Sequence, residues 1–146
     1  MAVELTAVAV QTVPAGQNVL FSDTAVNCRN GYVVHRDGAG IVTLRGIAAG
    51  NCCFARYRVS FFGNIAVPEG GTVGPISVGI SVNGETIPAT IATVTPTAAE
   101  AFFNVGTSTI LDVPRGCCYT IAVENATTPA APIDVSNANL LIERIA

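Results

Sequence analysis

The most reactive side chains in this sequence are five cysteines, which fall as Cys28 alone and as two vicinal pairs, Cys52-Cys53 and Cys117-Cys118. Thiols pack as small hydrophobes, oxidise to disulfides or bind soft metals. Neighbours on a strand point to opposite faces, so Cys53 and Cys117 are expected in the core beside Tyr57 and Tyr119, with Cys52 and Cys118 outward. Idle or buried thiols are one reading; a disulfide, between Cys52 and Cys118 or between subunits, is another. The odd count leaves one thiol unpaired unless chains cross-link. Zinc is the weakest reading, because adjacent cysteines lack the spacing that lets thiolates converge on one ion.

The remaining chemistry is sparse. His35 is the only histidine and there is no lysine, so the usual general bases and Schiff-base nucleophiles are nearly absent. His35 reads as a polar residue at a strand end, the alternative being a ring of three around a trimer axis that holds a metal or anion. Asp23, Asp37, Asp112 and Asp134 fall in expected turns or strand ends, where aspartate caps the chain locally. The glycines Gly63, Gly70, Gly71, Gly74 and Gly84 precede no helix and form no phosphate cradle. No nucleophile elbow, dinucleotide fingerprint or zinc-protease motif occurs, so no enzyme activity and no cofactor are expected. Asn125-Ala126-Thr127 matches a glycosylation acceptor but reads as inconsequential without an export signal.

The elements that would carry these residues are short strands. Phe54 to Asn64 is the clearest, with Ala55, Tyr57, Val59 and Phe61 on one face and Arg56, Arg58 and Ser60 on the other. Gly40 to Gly46 reads as its neighbour in the centre of an antiparallel sheet. Val3 to Val13 reads as a bent first strand, and Asn18 to Phe21 as a short one. Asn27 to Gly31 is a turn cluster leading into Tyr32 to His35. Ile76 to Val82 and Glu85 to Val94 form a hairpin through Asn83-Gly84, a type I′ signal that pairs Val82 with Glu85, Ile80 with Ile87, Val78 with Ala89 and Ile76 with Ile91. Pro88 implies an edge or a bulge. Ala99 to Asn104, Ser108 to Val113, Cys117 to Glu124 and Asn139 to Ile145 complete the set, with Ala98 to Phe103 the only candidate helical turn. About eight to ten strands of this kind make an antiparallel β-sandwich or jelly roll.

Composition narrows the class further. At 146 residues the chain is one domain. Only 12% of residues are charged while 50% are hydrophobic, so a monomer has too little charge to cover its surface and burial by other subunits is expected. Apolar runs are too short to span a membrane, and the start, Met1-Ala2-Val3-Glu4, reads as an unprocessed intracellular product. A net charge of −3 and scattered arginines argue against nucleic acid.

The order of Asn18 to Phe21, Gly40-Ile41-Val42-Thr43-Leu44, Tyr57-Arg58-Val59-Ser60-Phe61, Val82-Asn83-Gly84-Glu85, a late strand after Gly116 and the closing Leu140-Leu141-Ile142-Glu143-Arg144-Ile145 resembles the C1q/TNF-like jelly roll. It is most similar to bacterial and phage versions, as at the tips of spore-surface collagen-like glycoproteins and in phage head or tail fibres. The resemblance implies a homotrimer whose apolar strand faces meet at a threefold axis. No Gly-X-Y stalk precedes the head, so residues 1–16 are expected as an N-terminal strand and attachment segment and 17–146 as the head. The implied function is structural and non-enzymatic: a capsid-decoration or head-fibre protein on a virion, attached to a capsid or surface-layer protein through its N-terminal segment. The alternative is a receptor- or glycan-binding tip on a fibre, spore or cell surface, using the loops Pro68 to Thr72 and Thr127 to Pro132. Arg56, Arg58, Tyr57, Phe61 and Tyr119 are the candidates for intersubunit contact.

Overall fold

Alternation in the Phe54 segment organises the molecule. The computed structural model describes residues 2–27 and 31–146, and within it this segment is the longest strand, β6 (Phe54–Ala66). Before it come β1 (Ala2–Ala7), β2 (Gln11–Val13), β3 (Asp23–Val26), β4 (Val33–Val34) and β5 (Val42–Arg45). After it come β7 (Ile76–Val82), β8 (Glu85–Thr86), β9 (Ala92–Val94), β10 (Phe103–Pro114), β11 (Cys118–Asn125) and β12 (Ile133–Arg144). They form two antiparallel sheets packed face to face, the jelly-roll sandwich expected. The first sheet runs β10-β6-β12-β1-β3, with β2 also on β12; the second runs β4-β5-β11-β7-β8, with β9 also on β7.

The core lies between the sheets. Ala55, Tyr57, Val59 and Phe61 of β6 are all fully buried, facing Leu44 of β5 and Ile80 of β7 from the other sheet, with Leu5 and Leu140 alongside. Fully burying a side chain of this size stabilises the fold by roughly 1.5–3 kcal/mol. The Tyr57 hydroxyl spans the gap, donating to Arg45 O at 2.6 Å. A polar tip is thereby satisfied inside an apolar layer.

Several expectations need correcting. β5 is not the sheet neighbour of β6: it pairs with β11 and β4 in the opposite sheet, and β6 lies between β10 and β12. Asn18 to Phe21 forms only an isolated bridge, Asn18 to Glu124. Ala98 to Phe103 forms no helix, and the two strands expected around Ser108 are one continuous β10. β12 begins at Ile133, before Asn139, with a register shift between Ser136 and Asn139.

The hairpin begins as expected, with Val82 opposite Glu85 and positive φ at Asn83 (52°) and Gly84 (88°). A 3-10 turn at Pro88–Thr90 then consumes residues, so Val78 faces Ala92 rather than Ala89, and Ile76 faces Val94 rather than Ile91. The proline cannot donate to the ladder. Instead the Thr90 hydroxyl accepts from Ile80 N at 2.9 Å and donates to Ile87 O at 2.7 Å, so the excursion leaves few groups orphaned. No helix among the described residues is long and apolar enough to cross a membrane.

Candidate assembly face

The outer face of the first sheet is unusually bland where β10, β6 and β12 lie side by side. Register places Asn104 opposite Asn64, Gly106 opposite Phe62 and Ser108 opposite Ser60; on the other side of β6, Asn139 faces Phe62 and Leu141 faces Ser60. None of these positions carries charge. The Phe62 ring lies over Gly106, where a Cβ would meet it at 2.7 Å, and the ring is still half exposed. Beside it, β10 is an edge strand of 12 residues carrying exposed Ile110 on the same face. An edge this long normally needs a cover or a lysine to prevent pairing, and the sequence has no lysine.

Charge returns at the end of this face where β6 begins. Arg56 and Asp112 form a two-point ion pair at 2.7 and 3.0 Å, and the Arg56 guanidinium also sits 4.9 Å from the Phe54 ring centre. The hydrogen bond from Arg56, with its charge, holds the Asp112 carboxyl below its usual range, and the same bond raises Arg56. Arg56 is thus paired within its own chain, and Asp112 sits near the end of a strand, one of the two placements expected for it. Arg58 is exposed between Ile110 and Glu143. Tyr57 and Phe61 are fully buried in the chain's own core, which corrects their candidacy for intersubunit contact; Tyr119 is partly buried against the same core, opposite Leu44. Phe62, which projects from β6 on the face opposite the core, is the aromatic that alternation alone could have nominated.

At the opposite end, the expected loop Thr127 to Pro132 lines a cleft through Pro129, Ala130, Ala131 and Pro132, whereas of the expected loop Pro68 to Thr72 only Thr72 reaches it. Val73 and Pro75 face Pro129 and Pro132 across an open, mainly apolar cleft of about 440 Å³. The second loop is braced from below by Asn125, whose amide donates to Val13 O at 3.0 Å and Ala131 O at 2.8 Å while its carbonyl oxygen accepts from Thr127 N. Asn125 is buried, so the glycosylation-like triplet is a structural brace. Residues 1–16 contain β1, set between β12 and β3, and β2, set on β12. The link between them exposes Val8 and Val10 next to Leu20, whose backbone N and O are both held by the Gln11 side chain.

Cys52, Cys53, Cys117 and Cys118 are all exposed free thiols; Cys28 lies outside the described residues. Placing Cys53 and Cys117 in the core is therefore corrected. Both sit one position beyond the end of a strand, where the inward parity remains but no facing layer covers it. His35 follows β4, with Nδ1 3.1 Å from Thr24 Oγ1 and Nε2 3.0 Å from Ala39 O. With both ring nitrogens engaged locally it is the polar strand-end residue expected. No cluster of metal-ligating side chains occurs among the described residues.

No protein-family description matches the sequence, and no curated protein matches it. The fold does have counterparts among solved structures. The globular domain of zebrafish complement 1qA superposes with a TM-score of 0.60 at 11% identity, covering 99% of this chain and 97% of that one. Murine APRIL, in a crystal structure at pH 5.0, superposes with a TM-score of 0.66 at 12% identity, covering 99% and 98%. Identities this low speak for the fold alone, and both matches run nearly end to end: the chain has the jelly-roll fold of these two domains.

Proposed function

We propose that the chain is a non-enzymatic structural head that assembles as a homotrimer through the outer face of its first sheet and decorates or projects from a larger particle. The observation that carries this reading is the uncharged belt around Phe62 beside the uncapped edge strand β10, on a chain with only 12% charged residues. Such a face is costly to leave in water and suits burial against copies of itself. The particle we favour is a phage capsid, the chain serving as a decoration or head-fibre protein on the virion. Attachment would use the N-terminal segment, where Val8, Val10 and Leu20 offer an apolar patch.

Phe62→Asp places a carboxylate in the centre of the belt. The expected result is a monomer by light scattering with an unchanged far-ultraviolet circular dichroism spectrum, set against a trimeric parent. A parent that is monomeric at micromolar concentration would refute the assembly. Recovery of the chain with purified phage particles, and its loss after Val8→Asp and Val10→Asp, tests the attachment.

A second reading, a receptor- or glycan-binding tip, is favoured by one observation: the cleft between Val73-Pro75 and Pro129-Pro132 on its braced loop. The cleft lining has no aromatic platform for a sugar ring, which places this reading second. Binding on a glycan array that disappears with Asn125→Ala would promote it.

A further inference from the structure

The thiol end of the sandwich holds two cysteine pairs that are remote in sequence and joined in space. The loop that follows β5 and contains Cys52-Cys53 lies against the turn between β10 and β11 that contains Cys117. Arg115 N donates to Cys53 O and Gly46 N donates to Cys117 O, each at 2.8 Å, and Gly116 N donates to Gly46 O at 3.0 Å. The Arg115 side chain clamps the loop from above, donating to Cys52 O at 2.9 Å and to Gly50 O. Gly46 fits so closely under the turn that a Cβ there would collide with Pro114 O. The two segments are therefore held in register before any covalent bond forms.

A bond within either pair is disfavoured. The only cis peptide among the described residues is Thr128-Pro129, so both Cys-Cys peptides are trans. Trans neighbours have Cα atoms about 3.8 Å apart, below the usual disulfide range. Between the pairs, strand parity selects the partners. Ala55 and Tyr57 face inward from β6 and Tyr119 and Ile121 face inward from β11, so Cys53 and Cys117 share the parity that turns toward the mouth between the sheets. Cys52 and Cys118 have the opposite parity.

We propose that Cys53 and Cys117 form an oxidation site that closes an intrachain disulfide across this end, stapling one sheet to the other. With a small-molecule disulfide such as oxidised glutathione as the oxidant, one protein thiolate attacks the reagent, forms a mixed disulfide and releases one glutathione thiol. The second protein thiolate then displaces the other glutathione. Two protein thiols lose two electrons and two protons in total, and one reagent disulfide becomes two thiols. In a reducing compartment the site stays open, and outside the cell it closes.

The test uses the full-length chain equilibrated with oxidised glutathione, alkylated, denatured and cut after arginine. Cleavage leaves Cys52-Cys53 on the peptide from Gly46 to Arg56 and Cys117-Cys118 on the peptide from Gly116 to Arg144. The expected product is these two peptides joined, with the intact chain about 2 Da lighter. The joined pair should persist in the double variant Cys52→Ser/Cys118→Ser and fall at least about tenfold in yield in Cys53→Ser/Cys117→Ser under the same glutathione equilibrium. Equal cross-linking in both double variants, a link only between chains, or a link to Cys28 would overturn the assignment. Because the bond lies within one chain, its absence would leave the trimer untouched.

Discussion

Tyr57 joins the sheets twice, by its ring in the core and by its hydroxyl, which donates to Arg45 O at 2.6 Å with Tyr32 O nearby at 3.3 Å. Tyr57→Phe keeps the ring and strands a carbonyl, so urea unfolding should show a loss of about 1–2 kcal/mol; no change would mean that water reaches Arg45 O. Asp112 yields a pH prediction. Its folded carboxyl titrates below the ordinary value because of Arg56, so the stability it adds is present above the unfolded value of about 3.9 and is lost as pH falls through the folded one. The stability gap between the parent and Asp112→Asn should therefore be widest near neutrality and close toward pH 3, by denaturant midpoint. A gap independent of pH would show that the carboxylate charge is not involved. Alternation made the burial of Tyr57 and Phe61 legible, whereas the Arg56–Asp112 pair depends on β10 lying beside β6, a contact between distant segments that local pattern does not encode.

At the scale of elements, backbone hydrogen bonds explain which expectations held. Asn83-Gly84 was readable because a type I′ turn demands positive φ at both positions, which these residues accept. The three-residue offset beyond Pro88 was not, because it depends on the Thr90 hydroxyl serving Ile80 N and Ile87 O from across the strand. Thr90→Val keeps the shape and leaves Ile80 N unpaired; a loss of about 1–3 kcal/mol is expected by chemical denaturation. Asn125 supports three backbone groups at once, so Asn125→Ala should cost about 3 kcal/mol and loosen the loop at Pro129, seen as faster hydrogen exchange around residues 126–132. Unchanged exchange there would mean that the loop holds its shape without the brace. The same triplet matches a glycosylation acceptor in sequence and reads as inconsequential only for want of an export signal, since nothing local distinguishes a buried asparagine from an exposed one. Cys53 and Cys117 illustrate the opposite failure: their parity was legible, but where the facing layer ends was not.

For the whole molecule, the number and spacing of strand motifs were enough to indicate a jelly roll, because they follow from local alternation. Sheet membership was less accessible: β5 and β6 are consecutive in sequence yet lie in opposite sheets, as jelly-roll crossovers require. The surface proposed for assembly, around Phe62, emerges only once β10 and β12 are placed on either side of β6. The most direct test of the trimeric head is the solution mass of the full-length chain by light scattering, measured with reductant so that thiol cross-links cannot contribute. The account predicts three times the chain mass, falling to one chain mass with Phe62→Asp. A parent of one chain mass across the micromolar range would contradict it and leave the belt on β10, β6 and β12 without the partner proposed for it.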